Sequence, residues 1–298
     1  MQFGRVENLS GVDFSLPPEA PATARVLAAA EIAMPQVFIG CSVWSERKYK
    51  ERVYPPKTPQ NKYLAAYGNA FTTVELNSTH YSIPSSEQIG KWRDAVPSGF
   101  HFMPKVPQYI SHRRDPLQQA EALDMFIVRM AELDDRLGPI LLQIPHHFGA
   151  EHIPVLEQFF QVWPVDMKLV LEVRHEELLK PGTAQDELFG IMEKYNIGSA
   201  ISDVAGRRDA LHMRLSTPDL LLRFNGHNMH PTDFERLDAW TEQLVDWLNR
   251  GLHTAHIYMH QPEQELNADA ARYMIQQLNN RTSLQLAEPN WYGQPQLF

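Results

Sequence analysis

A single cysteine, Cys41, stands among the 298 residues, which excludes an intrachain disulfide framework and every cysteine-rich zinc ribbon or finger. That usage fits a reducing compartment. Long apolar runs are missing too: the longest candidate, residues 26–34, is interrupted by Glu31 and falls short of the ~18 residues a membrane span needs. Met1, Gln2, Phe3, Gly4 and Arg5 lead into no apolar stretch of the secretion-signal kind. These absences predict a soluble, cytoplasmic protein without a membrane partner. Basic residues are also in deficit, 27 Lys plus Arg against 36 Asp plus Glu, a net charge of −9 that argues against unspecific coating of DNA or anionic membranes. A local basic pocket stays allowed. Neither G-x-G-x-x-G nor the P-loop pattern occurs, nor does G-x-S-x-G, so nucleotide loops and a nucleophile elbow are not indicated.

What the chain does have is apolar bulk, 43% hydrophobic with 10% aromatic, enough for a large core. Residues 1–35 carry Pro17, Pro18, Pro21 and Pro35 without a strong period and read as an arm, with one Ala-rich helix from Thr23 to Ala33. From Gln36 onward, short β-branched or aliphatic runs alternate with helical patterns. Strand-like runs begin near Val37, Thr72, His101, Pro139, Lys168, Gly198, Leu220 and Thr254, 22 to 38 residues apart, one βα unit per step. Helices are expected over 61–70, 86–95, 118–137, 153–162, 185–195, 233–250 and 268–278. Thr232 and Glu235 have the spacing of a capping box, and Gly138 with Pro139 forms a helix stop. The sixth unit leaves about 15 residues between Val204 and Leu220, room for a short helix or none. Eight such units predict an α/β fold, a (β/α)8 TIM-like barrel over 36–280, with a tail at 281–298.

Alternation along each strand places Glu75 and Asn77 of the second strand on the axial face. The same test selects Lys105, Gln143, Glu172, Arg174, Asp203, Arg223, Asn225 and His260, all in the C-terminal halves of their strands, where barrels of this kind build their sites. Three acids (Glu75, Glu172, Asp203) and three bases (Lys105, Arg174, Arg223) would form a neutral mouth suited to a polar ligand. A closed ion-pair network that satisfies only itself is the competing reading. Glu75 and Glu172 are the candidates for general acid or base, because carboxylates close to each other or to arginine diverge in pKa. Arg223 and the loop 227–230 are placed for an anion. Trp44 and Tyr81 follow strands one and two and could stack on a ring-shaped ligand. His175 joins the binding set. No H-E-x-x-H or H-x-H spacing supports a metal, His146 and His147 would point opposite ways, and no cofactor is expected.

These residues lie in segments that resemble the YecE-like proteins, a bacterial and archaeal family classified as a domain of unknown function. The matching stretches are IGCSVW (39–44), VYPPK (53–57), YLAAYGNAFTTVELNSTHYSIPS (63–85), KW (91–92), GFHFMPKVP (99–107), LGPILLQIP (137–145), LVLEVRH (169–175) and LLLRFNG (220–226), with NADAARYM (267–274) a weaker one. The resemblance implies a (β/α)8 barrel related to sugar-isomerase and endonuclease-IV-like barrels, without a settled activity. It maps family positions onto Trp44, Tyr54, Pro55, Glu75, Asn77, Tyr81, Pro84, Trp92, Lys105, Gln143, Pro145, Glu172, Arg174, His175, Asp203, Arg223 and Gly226. The chain departs where the family has Gly-Trp (Val43, Trp44), Phe-Tyr (His80, Tyr81) and Arg-x-His-Gly (Asn225 for the histidine), in an Asn pair near His260 and Gln261, and in a tryptophan after Arg174 and His175. The rim has changed around a retained charged scaffold.

The expected function is therefore binding of a small polar or anionic ligand at the mouth, and its transformation by carboxylate acid/base chemistry. Two alternatives stand beside it: a nucleic-acid binding or repair protein, which the net charge disfavours, and a non-catalytic ligand-binding or scaffold protein. The sequence does not specify an oligomeric state.

Overall fold

A computed structural model describes residues 4, 6–31 and 34–293. Residues 1–3, 5, 32 and 33 of the expected arm and 294–298 of the tail lie outside the described residues, and the arm's helix, expected over Thr23–Ala33, runs instead from Pro21 to Ala28 with its C-cap at Ala29. Eight strands, β1 (Gln36–Cys41), β2 (Thr73–Leu76), β3 (His101–Pro104), β4 (Ile140–Gln143), β5 (Leu169–Glu172), β6 (Gly198–Asp203), β7 (Asp219–Asn225) and β8 (Thr254–His260), form one parallel sheet ordered β3-β2-β1-β8-β7-β6-β5-β4. Parallel bridges Phe102–Leu137 and Lys105–Leu141 join the two ends, with hydrogen bonds Gly138 N to Phe102 O (2.8 Å) and Val106 N to Leu141 O (3.0 Å). The sheet thereby becomes a nearly closed (β/α)8 barrel, and closure leaves no edge to protect.

The helices are α1 (Pro21–Ala28), α2 (Tyr63–Gly68), α3 (Ser86–Ala95), α4 (Gln108–Ser111), α5 (Ala120–Ala131), α6 (Ile153–Val162), α7 (Glu176–Leu179), α8 (Thr183–Lys194), α9 (Pro231–Asn249) and α10 (Asn267–Arg281). Each strand except β6 is followed by at least one of them. The core has two parts. Between strands and helices lies a large apolar layer that includes Ile39, Leu76, Leu142, Leu171, Ile201, Leu222 and Ile257. Inside the barrel, Met103, Leu141, Val170, Ala200, Leu221 and Tyr258 form a small separate cluster. No helix among the described residues is long and apolar enough to cross a membrane.

Two local expectations change. The long helix over 118–137 is shorter, because 3-10 turns at Pro116–Gln119 and Asp134–Arg136 flank α5 and Asp134 takes a positive φ of 53°. The Thr232–Glu235 capping box does not form: α9 begins two residues before the expected 233, at Pro231, whose fixed φ suits a first helical position. His230 is the cap, its Nδ1 accepting from Thr232 N at 3.3 Å.

Between β6 and β7 only a 3-10 turn, Arg208–Ala210, is present, yet the outward faces of these strands still need an apolar cover. Val26 and Leu27 of the arm join the apolar core beside the β6–β7 connection. Helix α1 buries Val26 and Leu27; Thr23 Oγ1 donates to Met213 O (3.1 Å) and accepts from Leu215 N (2.9 Å). Arg25 pairs with Glu193 of α8 at 2.7 Å, while Glu19 accepts from Trp247 of α9 (2.6 Å) and from Arg250, the residue that caps its C-terminus (2.7 Å). An N-terminal helix thus stands between α8 and α9, where the sixth helix of the barrel would be.

Candidate functional site

Strand pairing fixes which side chains face the axis. Because Ala200, Leu221 and Tyr258 lie in the inner cluster, Ser202, Arg223 and His260, two residues further on, share that face one layer higher. Glu75, Lys105, Gln143 and Glu172 enter the same layer from β2, the end of β3, β4 and β5. The result is one connected ionic network. Arg223 donates to Glu75 Oε1 (3.0 Å) and Oε2 (3.3 Å) and to Glu172 Oε2 (2.8 Å). Lys105 Nζ pairs with Glu75, and Arg174 reaches Glu172 Oε1 (3.1 Å) and Gln143 Oε1 (2.7 Å). His260 Nε2 lies 2.9 Å from Glu75 Oε2.

Asp203 is a correction. It belongs to the opposite face of β6, with Ile201, and is buried against α9. There it accepts from Arg236 Nη2 (2.7 Å) and Trp240 Nε1 (2.8 Å) and pairs with Arg208. The neutral balance of three acids and three bases therefore becomes two acids (Glu75, Glu172) against three bases (Lys105, Arg174, Arg223). With His260 neutral, the mouth carries one net positive charge.

Burial alone would drive both carboxyls toward protonation, and the cations reverse it. Burial pushes Glu75 up, but Arg223, Lys105 and His260 beside it hold it well below the usual carboxylate range. Glu172 is likewise buried, yet Arg223, Arg174 and Lys105 bring it down to about 2. Burial also lowers Lys105 against the pull of Glu75. His260 is lowered by burial, with Glu75 opposing, so the ring is neutral at pH 7 and donates through Nε2 to the Glu75 carboxylate. Glu75 and Glu172 are thus standing anions in the unliganded protein, a state that fits holding cations and rules out donating a proton.

Above the network lies a cavity of about 390 Å³. Arg174, Arg223, Asn225 and His260 line it from the strand ends, Gln261 and Gln264 from the loop after β8, and Gly4 and Val6 from the arm. Arg174 keeps 21% of its side chain exposed, the most accessible of the three cations. The hydroxyl of Ser202, buried at the axial face beside Arg223, has no hydrogen-bond partner among the described residues.

The loop after β7, expected beside an anion, sends His227 to the cavity wall, but several of its backbone amides are engaged elsewhere. His227 N donates to Asp233 Oδ2 (2.7 Å), Asn228 N to Gln261 Oε1 (2.6 Å) and His230 N to His227 O (3.2 Å). A Cβ on Gly226 would sit 2.1 Å from the Gln261 amide nitrogen, so a larger residue here would displace that side chain from Asn228 and Asp233.

The remaining expected residues scatter around the rim. Asn77 donates to Ser42 O (3.0 Å), tying the ends of β1 and β2 together, and Asn225 Nδ2 donates to Arg223 O (3.2 Å). Trp44 packs edge-on against Trp92 at 6.2 Å, Tyr81 is 68% exposed, and His175 caps α7; none of these three lines the cavity. Among the described residues no group of three or more His, Cys, Asp or Glu side chains could hold a metal ion. Cys41 is fully buried, and burial pushes its thiol up to about 12, which leaves it no nucleophilic character.

Sequence reasoning missed Ser202, the arm residues and the far end of the barrel, where His101 Nδ1 and His256 Nε2 lie 3.0 Å apart and both rings stack on Phe38. The signal for Ser202 was available: Ile201 is the apolar member of its strand and faces the helices, so its neighbours Ala200 and Ser202 face the axis.

The chain is similar to two curated proteins without an assigned activity. It is 26% identical over 245 residues to the UPF0759 protein YecE of Escherichia coli K12, covering 76% of this chain and 87% of that one. To the UPF0759 protein YunF of Bacillus subtilis it is 26% identical over 203 residues, covering 64% and 71%. Among solved structures, a DUF72 family protein from Enterococcus faecalis V583 superposes with a TM-score of 0.68 at 20% identity, covering 88% of this chain and all of the other. One from Thermotoga maritima MSB8 gives 0.61 at 22% identity, covering 83% and 98%. Both likenesses speak for the barrel. Since residues 38–293 match the family model described as "Protein of unknown function DUF72", the chain belongs to the DUF72 family.

Proposed function

We propose that the barrel mouth binds a small ligand through an anionic group, a phosphate or a carboxylate. The observation that carries this reading is a cavity of about 390 Å³ set directly on a buried cluster with one more cation than anion. Holding several charges inside a barrel costs more than apolar layers would, and an internal network with surplus positive charge is suited to exchange one of its own carboxylates for a ligand's. The unpartnered Ser202 hydroxyl adds a donor at the same level.

Within this reading Glu75 and Glu172 act as carboxylates. A ligand anion that takes over part of Arg223 or Lys105 frees a glutamate from the charges that depress it. The freed carboxylate regains basicity and accepts a proton from the ligand, while His260, held by Glu75, is the neutral partner able to pass one on. The lone buried Cys41 fits a cytoplasmic setting for this chemistry.

One observation favours the scaffold alternative: every mouth charge already has a protein partner. The nucleic-acid alternative needs a continuous basic groove, and this cavity is a local pocket walled on one side by the arm, in a chain of net charge −9.

Titration calorimetry with inorganic phosphate tests the reading, paired with crystals soaked in phosphate and in metabolite pools. Saturable one-to-one binding, with density between Arg174 and Arg223, is expected. A protein that shows no saturable binding of phosphate or of small carboxylates overturns it in favour of the scaffold.

A further inference from the structure

The arm does more than replace a helix. Its segment 6–16, preceded by Gly4, runs over the β6 side of the mouth before α1 begins, and three separate contacts hold it there. Gly206 N, in the loop after β6, donates to Gly4 O at 2.9 Å. Arg208 donates to Phe14 O (3.3 Å) and Ser15 O (3.2 Å). The Phe14 ring receives the guanidinium of Arg208 at 5.4 Å and that of Arg236 at 5.1 Å. Both arginines are paired with Asp203, so this buried carboxylate, which faces away from the mouth, anchors the clamp on the arm. Gly4 and Val6 lie on the cavity wall itself, together with Val204 and Ala205. A fourth feature makes the approach specific: a Cβ on Gly206 would meet Gly4 O at 2.7 Å and Val6 Cγ1 at 2.8 Å, so only glycine admits the strap at this distance.

We propose that this strap is a detachable wall of the mouth cavity, and that it sets the size of the anion the site admits. The proposal rests on the mouth being an anion site. With the strap clamped, the space above Arg174 and Arg223 is about 390 Å³, enough for a phosphate or a small phosphorylated or carboxylated metabolite. With the strap released, the wall formed by Gly4 and Val6 is gone and the mouth opens on the β6 side. None of the clamp residues belongs to the cation cluster, so size selection and charge recognition are separable by mutation.

The experiment uses the full chain in three forms: unaltered, Gly206→Ala and Phe14→Ala. Amide hydrogen exchange of peptides covering 6–16 reports attachment of the strap without any ligand, with peptides from β5, β7 and β8 as the control for an intact barrel. Calorimetry with inorganic phosphate and with ATP, a bulky polyphosphate probe, reports access. Expected are an exchange at least ten times faster in 6–16 for both variants, phosphate affinity within threefold of the unaltered protein, and ATP binding at least ten times tighter than in the unaltered protein. Exchange that stays the same in both variants overturns the clamp. Faster exchange with unchanged ATP affinity overturns the wall, because the strap then leaves without opening anything. If neither anion binds any of the three proteins, the anion-site reading itself fails and takes the size filter with it, an outcome distinct from the other two because the exchange data still show whether the strap was attached.

Discussion

The two ends of the barrel interior are built by the same strands under the same alternation, and they solve the burial of polar groups in opposite ways. At the N-terminal end, His101 and His256 share one hydrogen bond and stack on Phe38, all uncharged. At the C-terminal end, Glu75, Glu172, Lys105, Arg174 and Arg223 stay charged and interlocked under an open cavity. Between them lies the apolar cluster around Met103 and Leu221. Burial without a counter-charge forces the neutral form, whereas burial with one preserves both charges. The difference places charge at one end and neutral packing at the other, and each end is open to test.

The largest effect is expected at the mouth. Glu75→Gln removes the carboxylate shared by Arg223, Lys105 and His260 and leaves cations buried without their partner, at a cost of about 3–5 kcal/mol in urea unfolding. A loss below about 1 kcal/mol would show that the network is hydrated and contributes little to holding the barrel.

The far end is expected to respond to acid. Burial lowers His101 to about 4, and burial with His101 nearby lowers His256 well below its ordinary value, so both are neutral in the fold while the unfolded chain protonates them near pH 6.5. Their depressed pKa values contribute stability in full above pH 6.5, and that contribution is lost as pH falls from about 6.5 to 4, by on the order of 3 kcal/mol for His101 alone. Unfolding curves across that window check the sign. In His256→Phe the slope should flatten; an equally steep slope would move the acid sensitivity elsewhere.

Arg174 is the exposed cation of the mouth. Arg174→Gln should weaken phosphate binding about tenfold, roughly 1.4 kcal/mol, with little change in unfolding midpoint, since Glu172 retains Arg223. Unchanged affinity would put the anion elsewhere. The smallest effect belongs to Ser202→Ala. Removing an unpartnered buried hydroxyl should leave stability within about 1 kcal/mol and reduce phosphate affinity by a factor of two to three. A clear loss of stability would mean that the hydroxyl is bonded in solution.

Much of this could be read from residue order, and the failures have definite causes. Strands such as 140–143 and 169–172 carry apolar residues on the helix-facing side and the polar residue last, so both their existence and their inward-facing Gln143 and Glu172 follow from a period of two. Strand 198–203, Gly-Ser-Ala-Ile-Ser-Asp, offers a single bulky apolar residue, and its phase was set by the attractive Asp203 instead of by Ile201. Charge type outweighed pattern, and the assignment landed on the wrong face. The capping box near Thr232 failed because a proline next to it offered a better start. Rim residues such as Trp44 and Tyr81 follow strands but sit on loops, where no periodicity fixes direction.

By itself the sequence determined the barrel, the number and direction of its strands, and the charged residues that strand alternation turns toward the axis, because these depend on short-range periodicity and on one hydrophobic face per element. Only the tertiary structure decided that Asp203 clamps the arm while Glu75 and Glu172 hold the cations, that the mouth is positive by one charge, and that an N-terminal helix stands where the sixth barrel helix is missing. Those outcomes depend on which groups meet between different strands and helices, some of them about 190 residues apart in the chain, and the pKa values, the cavity and the strap all follow from distance in space.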